Sequence, residues 1–281
     1  MVLRRGSRSG GGGFGWGRLI IAGVLVVVSL ISYFGASQFN EVTQENQHVN
    51  ITVEQEVALG LQAAPEMAAQ YGGLSNEREA VDRVARVGEG IVAESGAGQA
   101  PYDYEFYLLD DSETINAFAL PGGPIFITEA LLSRLETEGQ LAGVLAHEIT
   151  HVLARHSAEQ IAKAELTQGL TGAAVIAAYD PNDPSTQGTA QVAMLIGQLV
   201  NLKFGRDDEL ESDRLGVRWM SEAGYDPRSL IGVMEILAEA SGPNGQPEFF
   251  STHPNPDNRI QNIEAAIDAE FPNGVPAGLT P

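Results

Sequence analysis

The amino-acid sequence predicts an α+β fold that is mostly helical, with a small β-sheet just before a central helix. Two observations support this prediction. Apolar residues recur at three- and four-residue steps in several segments beyond residue 52, as they do on one face of a helix. Alternating apolar and aromatic residues lie between residues 102 and 128, ahead of a helix that begins near Glu138. The 281 residues, 43% of them hydrophobic, suffice for one large domain or two small ones.

The chain begins with a basic, glycine-rich tail (residues 1–18), followed by an uncharged apolar segment (residues 19–36). That length is near the short end of what spans a bilayer. Four arginines precede the segment and none follows closely, so we expect a cytoplasmic N-terminus and an exported remainder. The prediction is a single-pass anchor in a bacterial-type inner membrane, with the main domain in the periplasm or extracytoplasmic space. The alternative is a cleaved signal peptide and a secreted periplasmic protein, which the long apolar run and the lack of an Ala-x-Ala site disfavour.

Charge is distributed unevenly along the chain. Of its 16 basic residues, four (Arg4, Arg5, Arg8 and Arg18) precede the first acidic residue, Glu41. The rest of the chain therefore carries 12 basic side chains against 37 acidic ones. Such a surface repels phosphates, so we expect no nucleic-acid partner. The absence of cysteine excludes disulfides and a cysteine nucleophile.

Beyond a polar linker (residues 37–52), one domain is expected to span residues 53–271, with a loose tail at residues 272–281. The predicted helices are Val53–Tyr71, Asn76–Glu94, Glu138–His156, Ser229–Ala240 and Asn258–Ala269, and the predicted strands are Tyr102–Leu109, Ala117–Leu120 and Ile125–Thr128. Two further apolar segments, Leu170–Tyr179 and Gln191–Leu202, are too short to span a bilayer. We interpret them as buried core helices; a hydrophobic hairpin over the central helix, a dimer contact and a membrane-surface contact are the alternatives.

The helix that begins near Glu138 contains His147-Glu148-Ile149-Thr150-His151. Histidines four residues apart project from one face of a helix, so both imidazoles can reach one tetrahedral zinc ion. Glu148, beside the first histidine, can take a proton from a water that the zinc activates. A chance pattern on a solvated helix is the alternative. The apolar neighbours argue against it, because burying two histidines and a glutamate costs free energy unless they are paired or bind a metal.

A catalytic zinc needs a third protein ligand, which must be His, Asp or Glu because the chain lacks cysteine. Glu209 and Asp213 lie four residues apart in an acidic segment and would share one helix face. One carboxylate could bind zinc while the other accepts a hydrogen bond from a ligand histidine. Spacing alone leaves an acidic, solvated helix start as an equal alternative.

Several motifs, in order along the chain, resemble zinc metallopeptidase family forty-eight, which includes HtpX-like and CAAX prenyl protease-like enzymes. They are His147-Glu-Ile-Thr-His151 with Arg155-His156, Glu209-Leu-Glu-Ser-Asp213, and Ser251-Thr-His-Pro254 with Arg259-Ile260. The stretches 116–127 and 223–227 are also similar to that family. A single convincing membrane span makes the chain most similar to the BepA/LoiP-type periplasmic branch.

This resemblance implies a zincin fold of the gluzincin-like kind with one zinc ion per chain. The implied zinc ligands are His147, His151 and Glu209. Glu148 would be the general base, and Asp213 would orient a ligand histidine. His253 would either stabilise the oxyanion or occupy the open coordination position. The role of His156 has two alternatives: it either supports the site or is a structural histidine at a helix end.

The strands ahead of the zinc helix suggest how a substrate is held. A peptidase needs its substrate extended, and an exposed sheet edge holds a peptide through main-chain hydrogen bonds. The candidate substrate edge is Asn116, Ala117 and Phe118, with ordinary core strands as the alternative.

These features together predict a membrane-anchored zinc endopeptidase that hydrolyses misfolded or membrane-associated polypeptides in the cell envelope. The alternative is an envelope chaperone or assembly factor that binds client proteins through the same fold with little or no proteolysis. The expected partners are polypeptide substrates, the membrane through the N-terminal helix, and either envelope assembly proteins or a second copy of the chain. A role in protein quality control is implied only by the family resemblance.

Overall fold

The structure is a computed structural model that describes residues 13–178, 204–242, 245–255 and 258–281. Contacts divide the chain into two compact units. The first comprises Met1–Gln38, His48–Asn50 and Ile161–Leu202, and the second comprises Phe39–Gln47, Ile51–Gln160 and Lys203–Pro281. All of the sequence-predicted site residues belong to the second unit.

The apolar segment near the N-terminus is a helix, α1 (Gly13–Gly35), which begins before the predicted segment. Its stretch Trp16–Gly35 has a mean hydropathy of 2.1, and 6% of it is buried. By length and composition, this helix can cross a membrane. The predicted segment Leu170–Tyr179 lies in a later helix up to Ala178, whereas Tyr179 and Gln191–Leu202 are outside the described residues.

The remaining elements follow in chain order. They are β1 (Ser37–Asn40), β2 (Glu45–His48), α2 (Val53–Gln70), α3 (Arg78–Glu94), a 3₁₀ turn (Gly96–Gln99), β3 (Glu105–Leu109), β4 (Ala117–Ala119), β5 (Pro124–Thr128), α4 (Glu129–Leu132), α5 (Glu138–Leu153), α6 (His156–Ala178), α7 (Arg206–Glu222), α8 (Ser229–Ala240), α9 (Phe249–Thr252) and α10 (Arg259–Glu270). The mostly helical α+β prediction, with a small sheet before the central helix, is therefore confirmed. The strands β1 and β2 pair as a two-stranded sheet inside the predicted linker.

A three-stranded sheet lies directly before α5 in the chain. Its order is β3-β5-β4, with β3 parallel and β4 antiparallel to the central strand β5. Every residue of β5 is buried, which explains why that strand reads as a continuous apolar run. The short strand β4 is an edge of this sheet, and it also contacts α5. The sheet thus brings one edge strand next to the central helix.

Helix α5 is the centre of the second unit. Thr137 caps its N-terminus, and the side chain of Gln140 returns to the capping residue in a capping box. Every residue from Gly139 to Leu153 is buried, because α3, α7, α8 and β4 all contact this helix. Helix α7 packs against α5 at Gly216, where a β-carbon would lie 3.4 Å from the His147 backbone nitrogen, an ordinary packing distance. The polar side chains of α5 are therefore held inside the protein.

Helix α5 ends earlier than the sequence predicts. It stops at Leu153, and Arg155 adopts a left-handed conformation (φ 56°) before α6 begins at His156. The Arg155 guanidinium forms an ion pair with the buried Glu56 carboxylate and donates to the Ile51 carbonyl oxygen at 2.8 Å. These contacts hold Arg155 in a backbone conformation that residues other than glycine rarely adopt.

Side-chain amides from the β1–β2 segment close the C-terminal end of α5. Asn40 donates to the Leu153 carbonyl oxygen at 2.9 Å, and Gln47 donates to the Ala154 carbonyl oxygen at 2.5 Å. Carbonyl groups at a helix C-terminus have no partner within the helix, so these amides satisfy groups that burial would otherwise leave unpaired.

The end of the chain differs from the predicted loose tail. The Gly139 backbone N–H donates to the Pro281 carbonyl oxygen at 2.8 Å. Thr280 pairs with the backbone of residues 224 and 226, at 2.9 and 2.8 Å. These hydrogen bonds fix Pro281 against the first turn of α5 and Thr280 against the turn that follows α7, although their composition alone gives no signal of order.

We predict that Gly60→Ala lowers the free energy of unfolding by about 1–3 kcal/mol, because it overpacks a buried contact. A β-carbon at Gly60 would lie 2.0 Å from the Pro121 carbonyl oxygen, where α2 meets the turn between β4 and β5. Gly90→Ala is the matched control, since nothing lies within 4 Å of its added β-carbon on α3. It should raise stability by up to about 1 kcal/mol through helix propensity. Urea unfolding of both variants measures this, and equal stability changes would contradict the packing argument.

Candidate metal centre

Four side chains converge on one point inside the second unit. His147 and His151 come from α5, Glu209 comes from the first turn of α7, and His253 follows α9. One donor atom of each lies within 4.8 Å of all the others. The two histidine Nε2 atoms are 3.0 Å apart, and the Glu209 carboxylate oxygens lie 3.5 and 3.6 Å from them. None of the four residues is more than 2% exposed.

The buried atoms at this point lack ordinary partners. Neither Glu209 oxygen accepts a hydrogen bond, and the His253 Nε2 atom has no hydrogen-bond partner among the described residues. Leaving such groups unpaired in a protein interior costs about 1–3 kcal/mol each. Two imidazoles and a carboxylate aimed at one point are also a common donor set for a divalent ion. The residues present therefore fit a bound metal ion.

Asp213 and Arg259 hold the first histidine in place. Asp213 Oδ1 lies 2.9 Å from His147 Nδ1, and Arg259 donates to both Asp213 oxygens, at 2.7 and 2.9 Å. A third guanidinium nitrogen lies 3.2 Å from Glu209 Oε2. Arg259 is 2% exposed, so its charge is balanced entirely inside the protein.

These neighbours set the protonation of His147 and Asp213. Burial lowers the pKa of His147, but the hydrogen bond to Asp213 and the nearby Glu209 carboxylate outweigh this effect and raise the pKa to about 9. Burial raises the pKa of Asp213, but the Arg259 charge and the His147 hydrogen bond hold it well below its usual range. Asp213 is therefore an anion at neutral pH, and it can accept the His147 Nδ1 proton.

The second histidine has different neighbours. The Phe204 ring stacks on His151 with centroids 4.1 Å apart, and His156 Nδ1 lies 2.9 Å from His151 Nδ1. Burial, followed by the proximity of the other histidines, His147 first, lowers the pKa of His151 well below its usual value. The neutral imidazole, which is the form that binds metals, is thus favoured at this position.

Glu148 sits beside the four donors and is fully buried. Burial raises its pKa to about 8, whereas the charge of His147 and, more weakly, the nearby backbone N–H of Ala119 on β4 act in the opposite direction. His253 Nε2 lies 3.5 Å from Glu148 Oε1. A carboxylate with a raised pKa, next to candidate metal ligands and an edge strand, is suited to proton transfer near neutral pH.

The structure brings six of the sequence-predicted site residues together in one buried cluster: His147, Glu148, His151, Glu209, Asp213 and His253. The three candidate substrate residues lie apart from the donors, at the edge of the sheet. Asn116 immediately precedes β4 and donates to the Tyr71 hydroxyl at 3.2 Å, and Ala117 and Phe118 are the first two residues of β4.

Sequence reasoning missed three residues of the cluster. Arg259 and Glu211 enter the sequence analysis only as members of motifs, with no role of their own, and Phe204 does not enter it. Arg259 was the most accessible of these to inference, because a buried aspartate requires a compensating charge. Nothing in the spacing of Glu211 or Phe204 signals their contacts with the histidines.

Comparison with known proteins agrees with this geometry. The profile of Peptidase family M48 matches residues 78–267. The chain is 32% identical over 248 residues to the mitochondrial metalloendopeptidase OMA1 of Schizosaccharomyces pombe, covering 87% of this chain and 70% of that protein. It is 31% identical over 218 residues to the beta-barrel assembly-enhancing protease of Yersinia pestis, covering 75% of this chain. It is 32% identical over 198 residues to the Escherichia coli protein of that name, covering 66% of this chain.

The chain spans 44% and 39% of the lengths of those two bacterial proteins, respectively. The helical architecture, the small sheet and the cluster of His147, His151, Glu209 and His253 fit the zincin-like fold that the sequence predicts. The profile match covers more than half of the chain and includes every donor of the cluster. The predicted family is thus confirmed: this chain is a metallopeptidase that belongs to Peptidase family M48.

Proposed function

We propose that this chain is a membrane-anchored zinc endopeptidase that cleaves misfolded or membrane-associated polypeptides in the cell envelope. One observation carries the proposal. The Nε2 atoms of His147 and His151 face each other at a single buried point, and the Glu209 oxygens, which accept no hydrogen bond among the described residues, face the same point. The Glu148 carboxylate lies beside it. A metal ion accounts for all of these atoms at once, and Glu148 supplies the base that peptide hydrolysis needs.

Zinc is the metal that this donor set suits best. Two imidazoles and one carboxylate are a common ligand set of catalytic zinc. Zinc ligands at about 2.0–2.2 Å in a tetrahedron are about 3.3–3.6 Å from one another. The separations of 3.0, 3.5 and 3.6 Å between the donor atoms are close to that requirement. We propose one zinc ion per chain, with these three residues as ligands.

The bound ion would polarise the scissile carbonyl and lower the pKa of a water molecule. Glu148 would accept the proton of the attacking water and deliver it to the leaving amine. Asp213, held by Arg259, would keep the His147 Nδ1 protonated, so that the Nε2 lone pair faces the centre. The orientation of His147 uses contacts that the protein makes without substrate.

His253 supplies a fourth donor, and a catalytic site needs an open position for the reactants. Its Nε2 atom faces Glu148, and its Nδ1 atom lies 2.9 Å from the Thr252 hydroxyl oxygen. We propose that His253 occupies the fourth position in a resting state and stabilises the oxyanion once substrate has entered. Because Glu148 is fully buried, the residues that cover it must move before a peptide can reach it.

The edge strand β4 is the proposed docking site for the extended substrate. Thr128 N–H donates to the Asn116 carbonyl oxygen, and Leu120 N–H donates to the Pro124 carbonyl oxygen. In an antiparallel pair the backbone groups alternate in direction, so those of Ala117 and Ala119 face away from β5. Such groups can pair with any sequence. All of β4 is buried, so the edge and Glu148 need the same opening.

The envelope location is proposed from α1 and from the relatives. Helix α1 is long and apolar enough to cross a membrane. One relative is named as a mitochondrial metalloendopeptidase, and two are named as beta-barrel assembly-enhancing proteases. We propose a cytoplasmic N-terminus and a peptidase domain in the periplasm, where envelope assembly proteins are candidate partners. A chaperone or assembly role with little proteolysis is the competing function, which the presence of Glu148 disfavours.

Glu148→Gln should keep about one zinc ion per chain and lower casein cleavage by about 10²–10⁴-fold, because it removes only the base. His147→Ala and Glu209→Ala should lose both zinc and cleavage. Metal analysis and casein digestion of the same preparations test this, with Glu264→Gln on the exposed face of α10 as the control. Full cleavage by zinc-loaded Glu148→Gln would refute the mechanism, and no cleavage by the zinc-loaded parent would favour the chaperone function.

Acid should release the metal, because histidine ligands must be neutral and Glu209 must be ionised to bind it. Because the pKa of His147 is about 9 without a metal, binding at neutral pH already displaces a proton, and we expect occupancy to fall progressively as the pH is lowered from 7 to about 4. Desalting the protein at a series of pH values, followed by metal analysis, gives the occupancy. Retention of one ion per chain at pH 4 would contradict the proposed ligands.

The full chain should stay in the membrane fraction after alkaline carbonate extraction, since α1 would span the bilayer. A variant that lacks residues 1–36 should be released under the same conditions. Mass spectrometry of the membrane-bound form should show an intact N-terminus. A mature chain that begins after the apolar segment would instead establish a cleaved signal peptide.

A further inference from the structure

We propose that His156 and Glu211 form a two-residue relay that fixes the tautomer of His151 and so prepares this histidine to bind metal. The inference deepens the proposed metal centre and depends on His151 being a ligand. It assigns a positioning role to His156, which the sequence leaves ambiguous, and to Glu211, which the sequence does not single out.

The relay consists of two contacts in series. His156 Nδ1 lies 2.9 Å from His151 Nδ1, and His156 Nε2 lies 3.2 Å from Glu211 Oε2. The rings of His151 and His156 are 4.9 Å apart at their centroids and almost perpendicular, at 71°. Both histidines are about 1% exposed. The Ser212 hydroxyl is also near His156 Nδ1, but its distance of 3.5 Å makes that the weaker contact.

The direction of the hydrogen bonds follows from the chemistry of Glu211. An ionised carboxylate only accepts, so His156 must donate its Nε2 proton to Glu211. With Nε2 protonated, the neutral form of the His156 imidazole carries a lone pair on Nδ1, which accepts the Nδ1 proton of His151. His151 is left with a lone pair on Nε2, the atom that faces His147 Nε2 at 3.0 Å. The opposite arrangement would place a lone pair against the carboxylate and a proton on the ligand nitrogen of His151.

Both histidines of α5 are thus oriented by carboxylates of α7. Asp213 acts on His147 directly, and Glu211 acts on His151 through His156. Glu211 needs the intermediate ring because it lies two residues from Asp213, on a different face of α7. The break between α5 and α6 supplies that ring. The left-handed Arg155 turns the chain, so that His156 comes back against the last turn of α5.

The outer end of the relay borders a cavity of about 640 Å³. Glu211 lines this cavity and is 14% exposed, and Arg214 lies 3.4 Å from its other oxygen. The inner end lies in the closed interior beside the donors. A substitution at Glu211 therefore acts on the metal centre without replacing a residue of its packed core. It should disturb folding less than a substitution at His156.

The test measures zinc affinity of the full chain in detergent by competition with a chromogenic chelator, a readout independent of proteolysis. His156→Leu removes the acceptor, and we expect a 10–100-fold loss of affinity. His156→Asn keeps an amide oxygen near the Nδ1 position and should stay close to the parent. Glu211→Leu should weaken binding, whereas Glu211→Gln keeps an acceptor without charge and should not. The thermal midpoint of each metal-free variant separates loss of affinity from loss of fold.

Two results would overturn the relay. Either unchanged affinity in both leucine variants, or equal losses in the leucine variants and their polar counterparts, would show that the acceptor atoms are irrelevant. If His156→Leu does not fold, the comparison of Glu211→Leu with Glu211→Gln tests the relay. A parent chain that binds no zinc would refute the proposed metal centre itself. A parent chain that binds zinc, with variants of unchanged affinity, would refute only the relay.

Discussion

The need to balance charge inside a dry interior shapes this protein more than any other constraint. Asp213, Glu209 and Arg259 are almost fully buried, and the guanidinium contacts both carboxylates. Removing one partner of such a set leaves an uncompensated buried charge, which costs about 3–5 kcal/mol. The packing of α5, α7 and α10 must therefore bring these groups together, and the histidines take their positions from that arrangement.

The helix contacts can be understood as consequences of this constraint. Helix α7 supplies Glu209 and Asp213 to the α5 histidines and Glu211 to His156, and α7 packs against α5 at Gly216. Arg259 at the start of α10 completes the charge balance from a distant part of the sequence. Capping of both ends of α5 by Pro281, Asn40 and Gln47 then fixes the helix along its axis. The donors are held by several independent contacts before any ion binds.

Much of this arrangement could be predicted from the sequence, because it follows from local pattern. Two histidines four residues apart must share a helix face, as would Glu209 and Asp213, and α5 follows from its periodicity. Long-range contacts leave no such pattern. The early end of α5 depends on the Glu56 ion pair with Arg155, and the ordered tail depends on hydrogen bonds to Gly139 and residue 224. The pairing of β1 with β2 was missed because its residues are polar and few.

The spacing of the site along the chain has a consequence for biosynthesis. His147 and Arg259 are separated by 112 positions, yet their side chains lie 3.4 Å apart. A nascent chain that has exposed only the His-Glu-x-x-His helix lacks the guanidinium that balances Asp213 and Glu209. Burial of Asp213 and Glu209 without this guanidinium would leave their charges uncompensated, which disfavours the folded geometry of the centre before α10 has been made. Assembly of the hydrolytic centre is in this way delayed until the domain is almost complete, and partly made chains carry no working peptidase.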